Sequence, residues 1–280
     1  MRALVVLAAH AATVYPGWSF AASNEEILDA VNAVRMQGCD GRPGVAVPLR
    51  EHPHMTEAAR RTAQDLPYQE ALASVGYRAT RSVLIRMRGD PAARTVAGVV
   101  AGRSCANLAD PSLSEIGIHQ RARDTWIILA VPFSPPPAAS AQAVARRVLE
   151  LVNAKRGQPR MCGDQSYPAA APVIMNATLN SVASAHASDM ARHNYFAHEG
   201  LDGSTPPERV ARAGYRWRAV GENIAAGQMT AEAVVEGWLK SPPHCGTLMG
   251  PQFTEMGVAY AVDQSSKAGI YWTQLFGRPR

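Results

Sequence analysis

The side chains best suited to chemistry stand close together in the second half of the sequence. His198 and Glu222 lie in segments rich in Gly, Asn and Asp, and a second histidine, His244, follows two prolines. Such segments predict turns, where functional side chains are concentrated. If the fold brings these three side chains together, the sequence predicts a site.

Two imidazoles and one carboxylate suit a divalent metal. Zn²⁺ binds His nitrogen and Glu oxygen, and it keeps one position open for water when it is catalytic. On this hypothesis His198 and His244 are the metal ligands, and Glu222 accepts a hydrogen bond from a histidine or from a bound water. The sequence spacing of the three residues is no metal signature, so the prediction depends on the fold.

Three functions compete for this site. The first is a module that binds a metal or another ligand, and the second is a hydrolase in which a metal lowers the pKa of a water and Glu222 acts as general base. The third is an interaction protein in which the site is structural.

Glu222 also has a simpler interpretation, as a carboxylate in a buried turn that accepts hydrogen bonds from backbone N–H groups. Binding is favoured over catalysis because the pattern offers no nucleophile: Ser241, before two prolines, is typical of a turn.

Composition and the first residues narrow the class of protein. A chain of 280 residues, 47% hydrophobic and 18% charged, has room for two folded domains. Its formal charge of +5 is scattered without a block of like charge, so we expect no nucleic-acid partner. Residues 1–21 have the basic start, short apolar run and small residues of a signal peptide, which predicts a secreted or periplasmic protein without a transmembrane anchor.

The sequence repeats itself in three anchors that follow one another in the same order. Two of them are a helix pattern and a Gly-Tyr-Arg motif, and the third is a cysteine eleven residues before the start of an apolar-Gly-apolar triplet. They lie at 27–35 and 148–156, at 76–78 and 214–216, and at 105–118 and 245–258. Collinear anchors predict two copies of one domain, at residues 22–133 and 142–280, joined by the Pro- and Ala-rich linker 134–141.

The repeat also selects a disulfide pairing. Four cysteines in an exported chain predict disulfides, and three pairings are possible. Cys39 corresponds to Cys162 and Cys105 to Cys245, so we expect one disulfide inside each copy, Cys39 to Cys105 and Cys162 to Cys245.

Local patterns place helices before strands, which predicts an α+β domain with an antiparallel sheet. Apolar residues recur at helical spacing over 144–152 and 179–190, and His186 lies on the second apolar face, where we interpret it as a hydrogen-bonded core residue. Thr205 and Thr230 are predicted helix N-caps. Residues 256–261 and 270–276 are predicted strands.

Several motifs of the second copy, in this order, resemble the CAP superfamily of cysteine-rich secretory, antigen 5 and pathogenesis-related proteins, and in particular its bacterial SCP-like extracellular branch. The resemblance covers about residues 144–276, and its motifs are His186 to Met190, Asn194 to His198, Gly221 to Ala225, Ser241 to His244, Phe253 to Val258 and Tyr271 to Gln274.

The resemblance implies a three-layer α-β-α sandwich whose cleft holds two histidines and two acids. His198, Glu222 and His244 match three of those places, and the fourth falls on Ser241, which cannot supply a carboxylate. Glu236 and Glu255 do not match that place either. Family members mostly act by binding, which implies a lipid, peptide or cell-envelope component as the partner.

The first copy keeps the framework of the pattern and loses the site. Leu84 stands at the place of Glu222 and Ser104 at the place of His244, and the segment that would carry a counterpart of His198 is shorter. We therefore expect any binding to belong to the second copy.

Overall fold

This computed structural model describes residues 21–280. The predicted signal peptide, residues 1–21, lies outside the described residues except for Ala21. The chain divides into two compact units, with the boundary between Pro132 and Phe133. Within residues 21–280, no helix is both long and apolar enough to span a membrane.

The first unit contains four helices and four strands in its described part. In chain order these are α1 Asn24–Gln37, β1 Arg50–Glu51, α2 Pro53–Thr62, α3 Tyr68–Ser74, β2 Ala79–Arg88, α4 Ala93–Leu108, β3 Glu115–Arg121 and β4 Asp124–Pro132. Its sheet has the strand order β1-β3-β4-β2.

The second unit opens with a 3₁₀ turn at Ala138–Ser140 and then has five helices and six strands. In chain order these are α5 Ala141–Arg156, β5 Arg160–Cys162, β6 Gln165–Tyr167, β7 Ile174–Met175, α6 Ala177–His193, α7 Pro206–Arg212, β8 Trp217–Ala226, α8 Ala231–Lys240, α9 Pro242–Met249, β9 Glu255–Val262 and β10 Ile270–Pro279. Strands β7-β9-β10-β8 form the main sheet, and β5 and β6 form a separate hairpin.

Both units are mixed α+β, as predicted, but neither four-stranded sheet is purely antiparallel. The two-residue strand β1 pairs in parallel with β3, and β7 pairs in parallel with β9. All other pairings within the two sheets are antiparallel. The sequence did not indicate β1 or β7 because two residues carry no alternating pattern.

Helices cover both faces of the sheet in the second unit. Strand β10 alternates, so that Trp272 and Phe276 pack with α5, α8 and α9, whereas Leu275 packs with α6 and α7. Gly257 of β9 allows α6 to approach closely, because a Cβ at this position would lie 2.2 Å from the backbone of Leu179. Gly117 of β3 does the same for α2, where a Cβ would lie 2.2 Å from the backbone of Met55.

Each unit also buries an arginine at the end of its first helix. Arg35 lies in the last turn of α1 and Arg156 is the last residue of α5, and they are 1% and 0% exposed. Their guanidinium groups donate hydrogen bonds to backbone carbonyls of loops and helix ends, which would otherwise be buried without a donor. The acceptors are the carbonyls of Val47, Leu108, Asp110 and Leu113 for Arg35, and of Ala171, Leu248, Gly250 and Phe253 for Arg156.

Two further pairs of contacts recur. Asn32 exchanges two hydrogen bonds with the backbone of Leu49, and Asn153 does so with Val173. The hydroxyl groups of two tyrosines donate to glutamates on the strand after the last helix; the pairs are Tyr77 with Glu115 and Tyr215 with Glu255, at 2.6 and 2.8 Å.

The structure forms the two disulfides that the repeat selects, Cys39–Cys105 and Cys162–Cys245. In the second unit this bond joins the β5–β6 hairpin to helix α9.

The Pro- and Ala-rich segment packs on the second unit. The backbone N–H of Ser134 donates to Met229 Sδ at 3.0 Å, and the Tyr260 hydroxyl donates to the carbonyl of Pro137 at 2.8 Å. Regular structure resumes at Ala138, inside the predicted linker.

Candidate functional site

The sequence suggested that Glu222 lies in a turn, but the structure places it in the middle of the edge strand β8. It pairs with Leu275 of β10, and only 2% of its side chain is exposed. Both carboxylate oxygens are occupied: Oε1 accepts from Nδ1 of His198 at 2.9 Å, and Oε2 accepts from Nη2 of Arg209 at 2.7 Å. The carboxylate therefore joins an imidazole to a guanidinium.

Residues 194–205, between α6 and α7, carry His198, and we call them the histidine loop. The loop begins at Asn194, which has φ of 54° and accepts at Oδ1 from the Lys267 N–H and the Tyr271 hydroxyl, at 2.7 and 3.2 Å. In the middle, Nε2 of buried His186 donates to the carbonyl of Ala197 at 3.0 Å. Burial lowers the pKa of His186, which favours its neutral form. His186 is thus a core residue, as predicted, and it also positions the loop.

Arg209 holds the end of the same loop. The Thr205–Glu208 capping box predicted from the sequence starts α7 and places Arg209 in its first turn. Nη1 of Arg209 donates to the carbonyls of His198 and Ser204, at 2.9 and 2.7 Å. Because its Nη2 binds Glu222, one guanidinium fixes both the loop and the carboxylate.

His244 approaches from α9. Nδ2 of Asn223, the residue after Glu222, donates to the carbonyl of His244 at 3.2 Å, and the Trp238 indole donates to the carbonyl of Ile224 at 3.1 Å, which ties α8 to the same strand. Burial lowers the pKa of His244, and the charge of His198 lowers it further. His244 is thus held beside the strand that carries Glu222.

The other predicted members do not join this network. Ser241 lies between α8 and α9, and within residues 21–280 its hydroxyl has no hydrogen-bond partner. Glu236 is exposed and pairs with Lys240, and Glu255 accepts from Tyr215. The place that the resemblance assigns to a second acid thus stays without a carboxylate.

The donor set does not fit a zinc ion with three protein ligands. Nε2 of His198 and the ring of His244 remain available, but both Glu222 oxygens are engaged. Across the part of the chain that the structure describes, no group of three His, Cys, Asp or Glu residues is arranged to hold a metal.

A groove of about 480 Å³ lies between the β5–β6 hairpin, strand β8 and helix α9. It includes Gly221 and Pro243, which directly precede Glu222 and His244, and its floor and walls include Tyr167 and Phe253. All of its lining residues are uncharged: Cys162, Gln165, Tyr167, Val220, Gly221, Pro242, Pro243, Gly246, Thr247, Gln252 and Phe253.

The histidine loop adds apolar surface beside the imidazole. Phe196 and Leu201 are 54% and 65% exposed, which is unusual for large apolar side chains on such a short segment. His198, between them, is 50% exposed.

Sequence reasoning missed Arg209. The capping box pointed to α7, but nothing in a single sequence links an arginine at its start to a glutamate thirteen residues later. That contact arises because α7 packs beside β8 in three dimensions.

A family model matches most of the second unit. The profile of the cysteine-rich secretory protein family, CAP, matches residues 149–276. YkwD, an uncharacterized protein of Bacillus subtilis (strain 168), is 33% identical over 138 residues, which cover 49% of this chain and 48% of YkwD. YlbC, an uncharacterized membrane protein of the same organism, is 35% identical over 95 residues, 34% of this chain and 25% of YlbC. The chain thus spans about half or less of these relatives.

Solved structures resemble this chain more weakly. An extracellular protein containing a SCP domain from Bacillus anthracis str. Ames is 17% identical with a TM-score of 0.43, and the match covers 76% of this chain and 72% of that one. An outer surface protein from Borrelia burgdorferi is 19% identical with a TM-score of 0.37, covering 48% of this chain and 95% of that one.

Proposed function

Because residues 149–276 form a CAP family domain, we propose that this chain is an exported protein whose second domain binds a ligand through the cleft of His198 and His244. Its two disulfides fit an oxidising compartment, either the periplasm or the extracellular space. The first domain, residues 22–133, is a degenerate copy without the cleft, and residues 134–141 link the two.

The observation that carries the proposal is the chain of contacts Arg209–Glu222–His198. A buried carboxylate fixed by an arginine holds Nδ1 of His198, so Nε2 is left for a ligand. The imidazole is half exposed while its supports are 2% and 11% exposed. A rigid polar group at the surface with buried supports suits binding, because little side-chain entropy is lost when the ligand arrives.

The surroundings favour a peptide segment as the ligand. The neighbouring groove is uncharged and lined partly by aromatic and proline rings, and the histidine loop exposes Phe196 and Leu201. Apolar surface with a few convergent polar groups is typical of sites that bind molecules with both apolar and hydrogen-bonding parts. A peptide has both, since its side chains are varied and its backbone offers donors and acceptors.

The hydrolase alternative receives no support from this geometry. A general base must reach the proton that it removes, but the Glu222 side chain is only 2% exposed and its two oxygens are held by His198 and Arg209.

The recurring framework supports the degenerate first copy. The buried arginines, the Asn-backbone pairs and the Tyr–Glu pairs occur in the same order in both units. In the first unit α2 is joined to α3 by residues 63–67, whereas residues 194–205 form the histidine loop in the second. Leu84 pairs with Ile128 as Glu222 pairs with Leu275, so the lost carboxylate would have stood at Leu84.

A displayed peptide library tests the proposal. The full chain is used for selection, and the peptides obtained are measured against His198→Ala/His244→Ala. We expect binding to fall by about tenfold or more, which is the loss of one to two good hydrogen bonds. His193→Ala is the matched control, because this exposed histidine pairs with Asp189 outside the cleft. Peptides that bind the double variant as well as the parent would refute a role for the cleft.

Equilibrium dialysis against ZnCl₂ separates metal binding from peptide binding. If the parent retains zinc and the double variant does not, the two imidazoles are metal ligands and the ligand class proposed here is wrong. If neither protein retains zinc and the peptides discriminate between them, the peptide proposal stands.

A further inference from the structure

The first unit has an arginine-lined groove that the ligand cleft does not explain. The groove has a volume of about 430 Å³ and lies between the edge strand β2 and helix α4. Its lining residues are Arg86, Met87, Arg88, Arg103 and Asp124. The lining residues thus include three arginines and one aspartate, so two positive charges are not compensated among them.

The three arginines differ in what engages them. Arg88 forms two parallel hydrogen bonds with Asp124, at 2.9 and 2.7 Å. The guanidinium of Arg86 lies over the Trp126 ring at 5.3 Å from its centroid, which leaves the N–H groups in the guanidinium plane free to donate. Within residues 21–280, Arg103 forms no hydrogen bond or ion pair.

The groove opens at the part of the fold where the second unit has its cleft. Strands β2 and β8 are the corresponding edge strands of their sheets. Arg86 lies two residues after Leu84, the counterpart of Glu222, and Arg103 directly precedes Ser104, the counterpart of His244. The short connection at residues 63–67 leaves this edge without a counterpart of the histidine loop.

We propose that this groove, formed by Arg86, Arg88 and Arg103, is a binding site for a phosphate-type oxyanion. Guanidinium groups present planar pairs of N–H donors that match tetrahedral oxyanions, and charge-assisted hydrogen bonds of this kind are about twice as strong as neutral ones. A dianion also matches the two uncompensated charges. All five lining residues belong to the first unit, so the site shares none with the cleft in the second.

The phosphate group could be free or part of a lipid, so the experiment needs both probes. The full chain is titrated calorimetrically with inorganic phosphate at low ionic strength. Separately, it is sedimented with vesicles of phosphatidylcholine alone and of phosphatidylcholine mixed with phosphatidic acid. The variants are Arg103→Gln and Arg86→Gln/Arg103→Gln. The matched control is Arg94→Gln, which removes one charge from an exposed position on α4, nine residues or about two and a half helical turns before Arg103.

We expect the double variant to bind phosphate about tenfold more weakly and Arg94→Gln to bind like the parent. If the variants bind acidic vesicles with the same order of affinities and none of the proteins binds free phosphate, the site is assigned to a lipid headgroup. An equal loss with Arg94→Gln would mean that only net charge matters, and no binding of either probe would mean that there is no site. Either of these two results overturns the proposal. Arg103→Gln keeps the test interpretable if loss of the Arg86–Trp126 contact disturbs folding, because within residues 21–280 Arg103 forms no hydrogen bond or ion pair that the substitution would remove.

Discussion

The two units share a framework but differ at one sheet edge. At equivalent register on the edge strands, the second unit places Glu222 and the first places Leu84. Each unit has a buried arginine that binds loop carbonyls, a disulfide and a tyrosine–glutamate pair, and none of these groups donates to the carboxylate of Glu222. The contacts that the two units have in common are therefore separate from those that build the cleft.

The difference lies mainly in one connection. Residues 63–67 join α2 to α3 directly, while residues 194–205 carry His198 and the contacts that hold it. Arg209 depends on this loop because two of its acceptors are loop carbonyls. The shorter connection of the first unit therefore offers no counterpart of His198 and none of the two carbonyls that bind Arg209.

The largest expected effect is the loss of stability when either buried arginine is replaced, and it tests whether Arg35 and Arg156 play the same part in their units. Arg156→Met should destabilise the second unit, and Arg35→Met the first, each by about 4 to 5 kcal/mol, because four buried carbonyls lose their donor. Hydrogen exchange followed by mass spectrometry reports on each unit separately. If one variant leaves its unit as protected as the parent, the two arginines do not play the same part.

Removing the disulfides should have nearly equal effects on the two units. The bonds close loops of 66 and 83 residues, for which the chain-entropy estimate is about 4 kcal/mol each. Cys39→Ala/Cys105→Ala and Cys162→Ala/Cys245→Ala are compared by urea denaturation. Only the second pair should also impair peptide binding, because Cys245 follows His244 on α9. Loss of peptide binding in the first pair would show that the units are coupled in function.

Glu222→Gln separates the cleft from the framework. The amide cannot attract both Arg209 and His198, so we expect a loss of about 2 kcal/mol and faster exchange over residues 194–205. Glu255→Gln is the matched control, since that carboxylate is bound by Tyr215 and lies outside the cleft. Equal loop exchange in both variants would mean that Glu222 does not hold the loop.

The smallest effect concerns pH. Because burial lowers the pKa of His186 below its ordinary value, the unfolded state binds more protons than the folded one as the pH falls through about 6.5. Stability contributed by neutral His186 is therefore present above that pH and is lost toward the lower, folded-state pKa. The urea midpoint should fall between about pH 7.5 and about pH 5.5, and His186→Gln, which retains a donor for Ala197, should reduce this fall. An unchanged fall would assign the effect to other groups.

Local features of the fold were predictable because their causes are local. The helices around Leu179 and Val148 follow from apolar spacing, and the helix start at Thr205 follows from the capping box, which the structure forms. The predicted disulfide partners are also the ones that the structure joins, because the repeat assigned each cysteine its counterpart.

The arrangement of the cleft was not predictable in the same way. Glu222 was interpreted as a turn residue because Gly221 precedes it, although its strand position is set by pairing with β10. The Arg209 contact and the parallel pairing of β7 depend on distant parts of the chain coming together. Periodicity and capping rules do not reach such contacts, since they describe only neighbours in sequence.

The histidine loop is fastened at Asn194, at Ala197 and through the two carbonyls that bind Arg209, so its shape is set when the domain folds. The conformational entropy of ordering those residues is therefore lost during folding and does not weaken the later association. A partner would meet a surface that is already in its bound shape, and its association rate would be limited by encounter and orientation and not by a slow rearrangement of the loop.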